Sequence, residues 1–314
     1  MQRRDFLKQI SAPAFALGAA DRAGFGYTRE KHVKHVAHNE SPKLDHVAIS
    51  TWSLHNYFRS TRDADSTLNG TALVLLDFPE AMADRYKVRR FEVCSRHFAS
   101  TERAYLQEFK YILSHTRSSV VNLSVSLDES GSDGTSSSPD PAGHRRSVDA
   151  VKPWIDVARA VGTKSVSVGP GKIDPEDLAP TIEFYRTVAG YAESKGIRVL
   201  VQTDESLGND APRSVVKLLK SAGDGKLGTL PDLNGYSDDR APNQRLLFPY
   251  ASSVCHVRAL ADVSEGAQPD YDLPRAIAIA KQAGFRGYYS IELDGPGDPY
   301  SEIQKTLDEL TRCL

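Results

Sequence analysis

The sequence predicts an α/β fold, a (β/α)8 TIM barrel in a single domain, on three observations. From His46 onward, short β-branched or aromatic runs alternate with longer segments of helical periodicity, which implies a parallel sheet. The alternation yields eight strand-like runs, and that number favours closure into a barrel over an open doubly wound sheet. No strand-like run leads into GxGxxG, so the dinucleotide-binding alternative lacks its main signature.

The expected strands are 46–50 (HVAIS), 88–94 (VRRFEVC), 119–126 (SVVNLSVS), 164–168 (KSVSV), 197–202 (IRVLVQ), 226–232 (KLGTLPD), 252–257 (SSVCHV) and 286–292 (RGYYSIE). Helical patterns cover 71–86, 103–116, 146–161, 174–195, 211–222, 272–284 and 300–313, with a weaker one near 241–250. In 146–161 the apolar positions Val148, Val151, Ile155, Ala158 and Val161 recur at helical spacing, and Gly162 ends the run. In 178–195, Leu178, Ile182, Tyr185, Val188, Ala189 and Ala192 do the same, with Gly196 as the C-terminal signal.

A hydrophobic content of 40% and a charged content of 25% suit a globular chain with a full core. The net charge of −2 provides no basic field, so nucleic acid is not a favoured partner. Cys94, Cys255 and Cys313 have neither metal-knuckle nor redox spacing, and an odd count argues against a disulfide framework. Cys94 and Cys255 fall inside expected strands and read as small buried hydrophobes.

The N-terminus reads as an address. Arg3–Arg4, followed by Phe6, Leu7 and Lys8 and then a mildly apolar stretch from Ile10 to Ala20, resembles a twin-arginine export signal. Residues 1–24 are expected to be that signal, 25–44 a flexible linker and 45–314 the barrel, which places the protein in the periplasm by way of the twin-arginine machinery, or on the membrane facing outward if the signal stays uncleaved. His32, His35 and His38 lie in the linker, where nothing nearby could orient three imidazoles around a metal. Gly169-Pro-Gly171-Lys172 reads as a turn and lacks phosphate-loop spacing. Residues 129–143 read as one long irregular loop on the side of the barrel where such folds carry their chemistry.

Four polar residues end four successive apolar runs: Gln202, Asp232, His256 and Glu292. A strand buried on both faces gains nothing by finishing on a polar group unless that group has a task. Parallel barrel strands bring their C-terminal ends to one mouth, so these four converge there. Two carboxylates, an imidazole and an amide make either a hard-metal site or a carbohydrate site.

Further motifs carry a resemblance. Leu76-Asp-Phe-Pro-Glu-Ala-Met-Ala83 precedes the second strand, Phe91-Glu92-Val93 lies within it, and Ala158-Arg-Ala-Val-Gly162 precedes the fourth. Asp232 follows the sixth, Cys255-His256-Val257-Arg258 ends the seventh, and Gly287-Tyr-Tyr-Ser-Ile-Glu292 ends the eighth. Over residues 45–314 the chain resembles the xylose isomerase-like TIM barrel superfamily of sugar phosphate isomerases and epimerases. The resemblance implies one divalent ion (Mn, Co, Mg or Zn) on Gln202, Asp232, His256 and Glu292. It also implies a small-molecule carbohydrate as ligand. Two departures stand out: Gln202 where relatives have Glu, and His256-Val-Arg-Ala259 where they have His-x-Lys-Asp. An amide can offer oxygen to a hard cation but can neither bring charge nor take a proton.

The implied activity is that of a metal-dependent isomerase, epimerase or lyase acting on a sugar or keto sugar, by proton abstraction next to a metal-polarised carbonyl. Glu292 is the expected base, with His97 or Asp204 as second proton carrier, and Trp52, His55, Glu92 and Arg258 as substrate-binding residues. The competing reading is a non-catalytic periplasmic sugar-binding barrel whose metal site has decayed, with Gln202 and Ala259 as the traces. DNA repair of the endonuclease-IV type would need more His and Asp/Glu ligands and a basic groove, and an export signal argues against it. Substrate identity and oligomeric state, a homo-oligomer included, stay open.

Overall fold

The computed structural model describes residues 42–63, 72–127, 140–171, 173–203, 211–222, 225–233, 240–258, 272–294 and 298–314. The expected signal, the three linker histidines, Lys172, Asp204 and Ala259 lie outside the described residues. Eight strands are present: β1 (Val47–Ser50), β2 (Arg90–Cys94), β3 (Ser119–Val125), β4 (Ser165–Val168), β5 (Arg198–Gln202), β6 (Leu227–Leu230), β7 (Val254–Arg258) and β8 (Tyr288–Glu292). They form one sheet in the order β6-β5-β4-β3-β2-β1-β8-β7. Every neighbouring pair is parallel.

The remaining seam, β6 to β7, is joined by two isolated bridges, Thr229 with Ala251 and Asp232 with His256. There the Leu233 N–H donates to the His256 carbonyl at 3.0 Å, and the His256 N–H donates to the Pro231 carbonyl at 2.8 Å. The sheet is thus a nearly closed (β/α)8 barrel. Its strands read as apolar runs because both faces are covered, as parallel sheets require.

The helices between them are α1 (Phe78–Tyr86), α2 (Arg103–His115), α3 (Pro141–Val161), α4 (Ala179–Glu193), α5 (Ala211–Ala222), α6 (Arg240–Leu247), α7 (Leu273–Gln282) and α8 (Pro299–Cys313). None of the described helices is long and apolar enough to cross a membrane. Several starts differ from the sequence expectation, and proline accounts for them. α1 begins at Phe78 rather than 71, with Pro79 in its first turn, where a missing N–H costs nothing. α3 begins at Pro141 rather than 146, because the Asp140 carboxylate accepts the N–H groups of Ala142 (3.3 Å) and Gly143 (2.8 Å). The end of the expected 129–143 loop is therefore helical. α3 stops at Gly162, whose φ of 93° suits a residue without Cβ.

The outer layer packs by aromatic wedges. Phe78 of α1 meets Phe91 of β2 edge-on at 5.3 Å, and Phe184 and Tyr185 of α4 are wholly buried against the barrel wall. Burying each such ring stabilises the fold by roughly 1.5–3 kcal/mol. The Tyr185 hydroxyl, carried into that layer, donates to the Val168 carbonyl at 2.8 Å. Where β7 and β8 start, Gly287 lies so close to the Ser253 backbone that a Cβ there would sit 2.3 Å from its carbonyl oxygen.

Candidate active site

The mouth is built from strand ends two residues apart. On β7, His256 and Arg258 occupy alternate positions and so face the same way, into the barrel. Their register partners on β8 are Ser290 and Glu292, and the bridge across the β6–β7 seam puts Asp232 beside His256. Three neighbouring strand ends thus deliver two carboxylates, one imidazole and one guanidinium to one spot.

Below the mouth lies a buried polar layer. Glu92, on β2, has no exposed surface and its Oε2 lies 2.9 Å from Nε2 of His256, itself fully buried. The Asn122 amide donates to Glu92 Oε1 at 2.7 Å and to Ser167 Oγ at 2.8 Å, and the Ser165 hydroxyl reaches Asn122 Oδ1 at 2.9 Å. The other imidazole nitrogen, Nδ1, makes no hydrogen bond, although Glu292 Oε1 is 3.3 Å away. Glu292 also accepts from the Ser50 hydroxyl at 3.0 Å.

Charge sets the protonation states. Burial works against charging His256, but Glu292 and Glu92 outweigh it and raise its pKa to about 9. Burial likewise opposes ionisation of Glu92, yet the His256 charge and the His256 and Asn122 hydrogen bonds bring it below the usual value. Glu292 goes the other way. Burial, with some repulsion from Glu92, lifts its carboxyl above the ordinary range despite His256 and Arg258.

Arg258 ties the mouth together. Its Nε donates to Asp232 Oδ2 at 2.7 Å, while Nη2 lies 3.4 Å from Glu292 Oε1 and Nη1 3.5 Å from Asp294 Oδ2. Asp294 in turn accepts from the Trp52 indole at 3.3 Å, and Trp52 stacks on His55 at 5.0 Å. His55 is held by the Trp52 carbonyl (3.0 Å) and the Asn56 amide (3.1 Å). Gln202 ends β5 with its Oε1 3.4 Å from the Ser124 hydroxyl.

His97 stands apart from this cluster. Thr51, whose Oγ1 accepts the Cys94 N–H, faces Nδ1 at 2.8 Å; Thr61, which donates to the His55 carbonyl, faces Nε2 at 2.9 Å. Hydrogen counting then assigns the proton to Nε2 and a neutral ring, with burial, followed by His55 and Arg96, holding its pKa near 3. Of the residues singled out in the sequence, the structure gathers Asp232, His256, Arg258, Glu292 and Glu92. Trp52 joins them through Asp294, and Gln202 sits on the rim toward β3.

Sequence reasoning passed over Ser50, Asn122, Ser165, Ser167 and Asp294. The signal for the first four is their position: polar residues at strand sites that the barrel buries on both faces.

Glu92, His256 and Glu292 offer ligand atoms within 4.8 Å of one another, close enough for a metal ion. One imidazole gives one ion only one nitrogen. With Nε2 against Glu92, an ion would take Nδ1, Glu292 and, beside them, Asp232. That is where the guanidinium stands. The four residues expected to share a divalent ion therefore do not fit one while Arg258 holds Asp232.

Residues 82–313 match the family described as xylose isomerase-like TIM barrel. The chain belongs to that family. No curated protein matches it in sequence. Among solved structures it is similar to D-psicose 3-epimerase from Clostridium cellulolyticum H10, crystallised with D-tagatose, at a TM-score of 0.63 and 14% identity over 84% of this chain and 95% of that one. It is likewise similar to a xylose isomerase domain protein from Planctomyces limnophilus, at 0.63 and 18% over 85% and 95%. A third is a xylose isomerase-like TIM barrel protein from Mycobacterium smegmatis in complex with magnesium, at 0.60 and 15% over 85% and 97%. At such identities these likenesses concern the fold.

Proposed function

We propose that the protein is a sugar isomerase/epimerase-type enzyme that moves a proton next to the carbonyl of a keto sugar, with Glu292 as base. The observation carrying this reading is the setting of Glu292: a buried carboxylate at the barrel mouth, with Ser50 on one oxygen and His256 and Arg258 converging on the other. A carboxyl lifted by burial is a better base at neutral pH than a solvated one. Glu292 takes the proton from the carbon beside the carbonyl. Arg258 lies where the negative charge gathers on the enediolate oxygen, and His256, bearing its proton, supplies a second positive charge within the same mouth. Return of the proton to the neighbouring carbon, with the enediolate's hydroxyl proton passing to the former carbonyl oxygen, gives the isomer; departure of the β-hydroxyl as water, with the proton held on Glu292, gives the lyase product. With an amide at Gln202, two opposed carboxylate bases are not available, which favours a single base working from the β8 side. The solved 3-epimerases that share the fold agree with a carbohydrate substrate. The twin-arginine-like N-terminus supports export to the periplasm, where that substrate would be unphosphorylated.

The test is solvent deuterium exchange. Ketoses incubated with the protein in D2O should gain deuterium at the carbon beside the carbonyl, read by NMR. Glu292→Gln should reduce that exchange by at least about 100-fold. Undiminished exchange in the variant would remove Glu292 as base. Saturable ketose binding with no exchange for any ketose would instead identify a sugar-binding barrel.

A further inference from the structure

We infer that Arg258 is the resident cation of this mouth, a guanidinium in the place where the family's strand-end donors would surround a divalent ion. Three observations carry the inference, and none depends on the proposed activity. The first is position: from the last residue of β7, the side chain crosses the β6–β7 seam to Asp232 at 2.7 Å and reaches Glu292 on β8 at 3.4 Å. Those are the two carboxylates of the expected ligand set, and one planar fork engages both. The second is burial. The Arg258 side chain is 18% exposed, Asp232 3% and Glu292 7%, so the contacts are shielded from water and salt, unlike a surface ion pair. The third is the donor set itself. Gln202 adds an amide without charge and its oxygen is directed at Ser124, so the expected set of four keeps only two carboxylates, and a guanidinium matches their geometry with several N–H donors.

A divalent ion entering here must expel the guanidinium from both of these buried carboxylates and leave it facing the exposed Asp294 instead. Breaking a buried pair in that way is strongly unfavourable, and it should weaken the ion's apparent affinity by at least about 100-fold. A covalently tethered cation is never diluted away, so the mouth keeps a positive group aimed at a substrate oxygen whatever the metal supply around it. Arg258 would also set specificity, because a fixed fork favours paired oxygens, such as a carbonyl and its adjacent hydroxyl, over a single one.

The experiment is calorimetric titration of MnCl2 into the purified full chain, into Arg258→Met, which keeps much of the stem's packing, and into Arg258→Ala. Wild type should show no saturable site below millimolar concentrations. The folded variants should take up one ion per chain at least about 100-fold more tightly, and adding His256→Ala to either should abolish the gain. A micromolar site in wild type would overturn the inference, and that arm holds even where a variant fails to fold. Variants that fold, by circular dichroism, yet bind manganese no better than wild type would overturn it as well. Sugar turnover plays no part in the readout, so a failure of the proposed activity leaves this result legible.

Discussion

His97→Gln should remove a pH dependence of stability that the protein owes to one buried imidazole. The ring is 4% exposed, bonded at both nitrogens by Thr51 and Thr61, and stacked on Phe58 at 3.8 Å. Burial first, then His55 and Arg96, hold its pKa at about 3, against about 6.5 in an unfolded chain. Because the folded value is the lower one, the unfolded chain binds the extra proton. The contribution to stability is therefore fully present above about pH 6.5 and is lost as pH falls toward 3. Integrating one proton of linkage between those values gives a loss of about 2 kcal/mol on going from about pH 7.5 to about pH 5. His256 acts in the opposite sense. Its folded value of about 9 is the higher one, so its contribution is present below about pH 6.5 and fades as pH rises through 9. The wild-type curve mixes the two, and the comparison with the variant separates them. Urea unfolding of both proteins at the two pH values should show the stability difference between them shrinking by about 2 kcal/mol at the lower pH. A difference equal at both pH values would refute the neutral, doubly bonded ring and return His97 to consideration as a proton carrier.

Three further substitutions test the frame around the site. Gly287→Ala places a methyl group 2.3 Å from the Ser253 carbonyl oxygen, so β7 or β8 must shift. The expected loss is at least about 1–3 kcal/mol by chemical unfolding, whereas Gly190→Ala in α4 meets nothing within 4 Å and should stabilise by up to about 1 kcal/mol. Asn122→Ala takes the donor from Glu92 Oε1 in a fully buried layer. It should destabilise by about 3 kcal/mol or more in the same assay, because the carboxylate left behind is charged.

Much of the fold was legible because each strand is short, rich in apolar and β-branched residues and closed by turn residues. That pattern survives in the residue types of VLV at 199–201 or VCHV at 254–257. Helix starts were less legible, since periodicity runs through a proline that the backbone does not. The 71–86 pattern reads straight across Pro79, yet α1 begins at Phe78. Closure was the least legible step. β6 ends at Leu230, and the bridge that seats Asp232 beside His256 rests on Pro231 and Leu233, whose types announce nothing.

The same limit explains why the site's residues were readable and their pairings were not. Strand-end spacing put Asp232, His256, Arg258 and Glu292 at one mouth, because alternation along a strand is a property of the chain alone. Which carboxylate Arg258 takes is a property of the seam. Had β6 and β7 parted by one register step, Asp232 would face away from the guanidinium, since a one-residue slip flips every side chain to the other face. The sequence also leaves Glu92 looking like a second mouth glutamate, two residues short of the end of β2. The structure buries it completely and hands it to His256 Nε2 and Asn122. The two glutamates, alike in composition, are separated by depth: the deeper one meets the imidazole and is held below the usual carboxyl range, while the one at the mouth is lifted above it by its own burial.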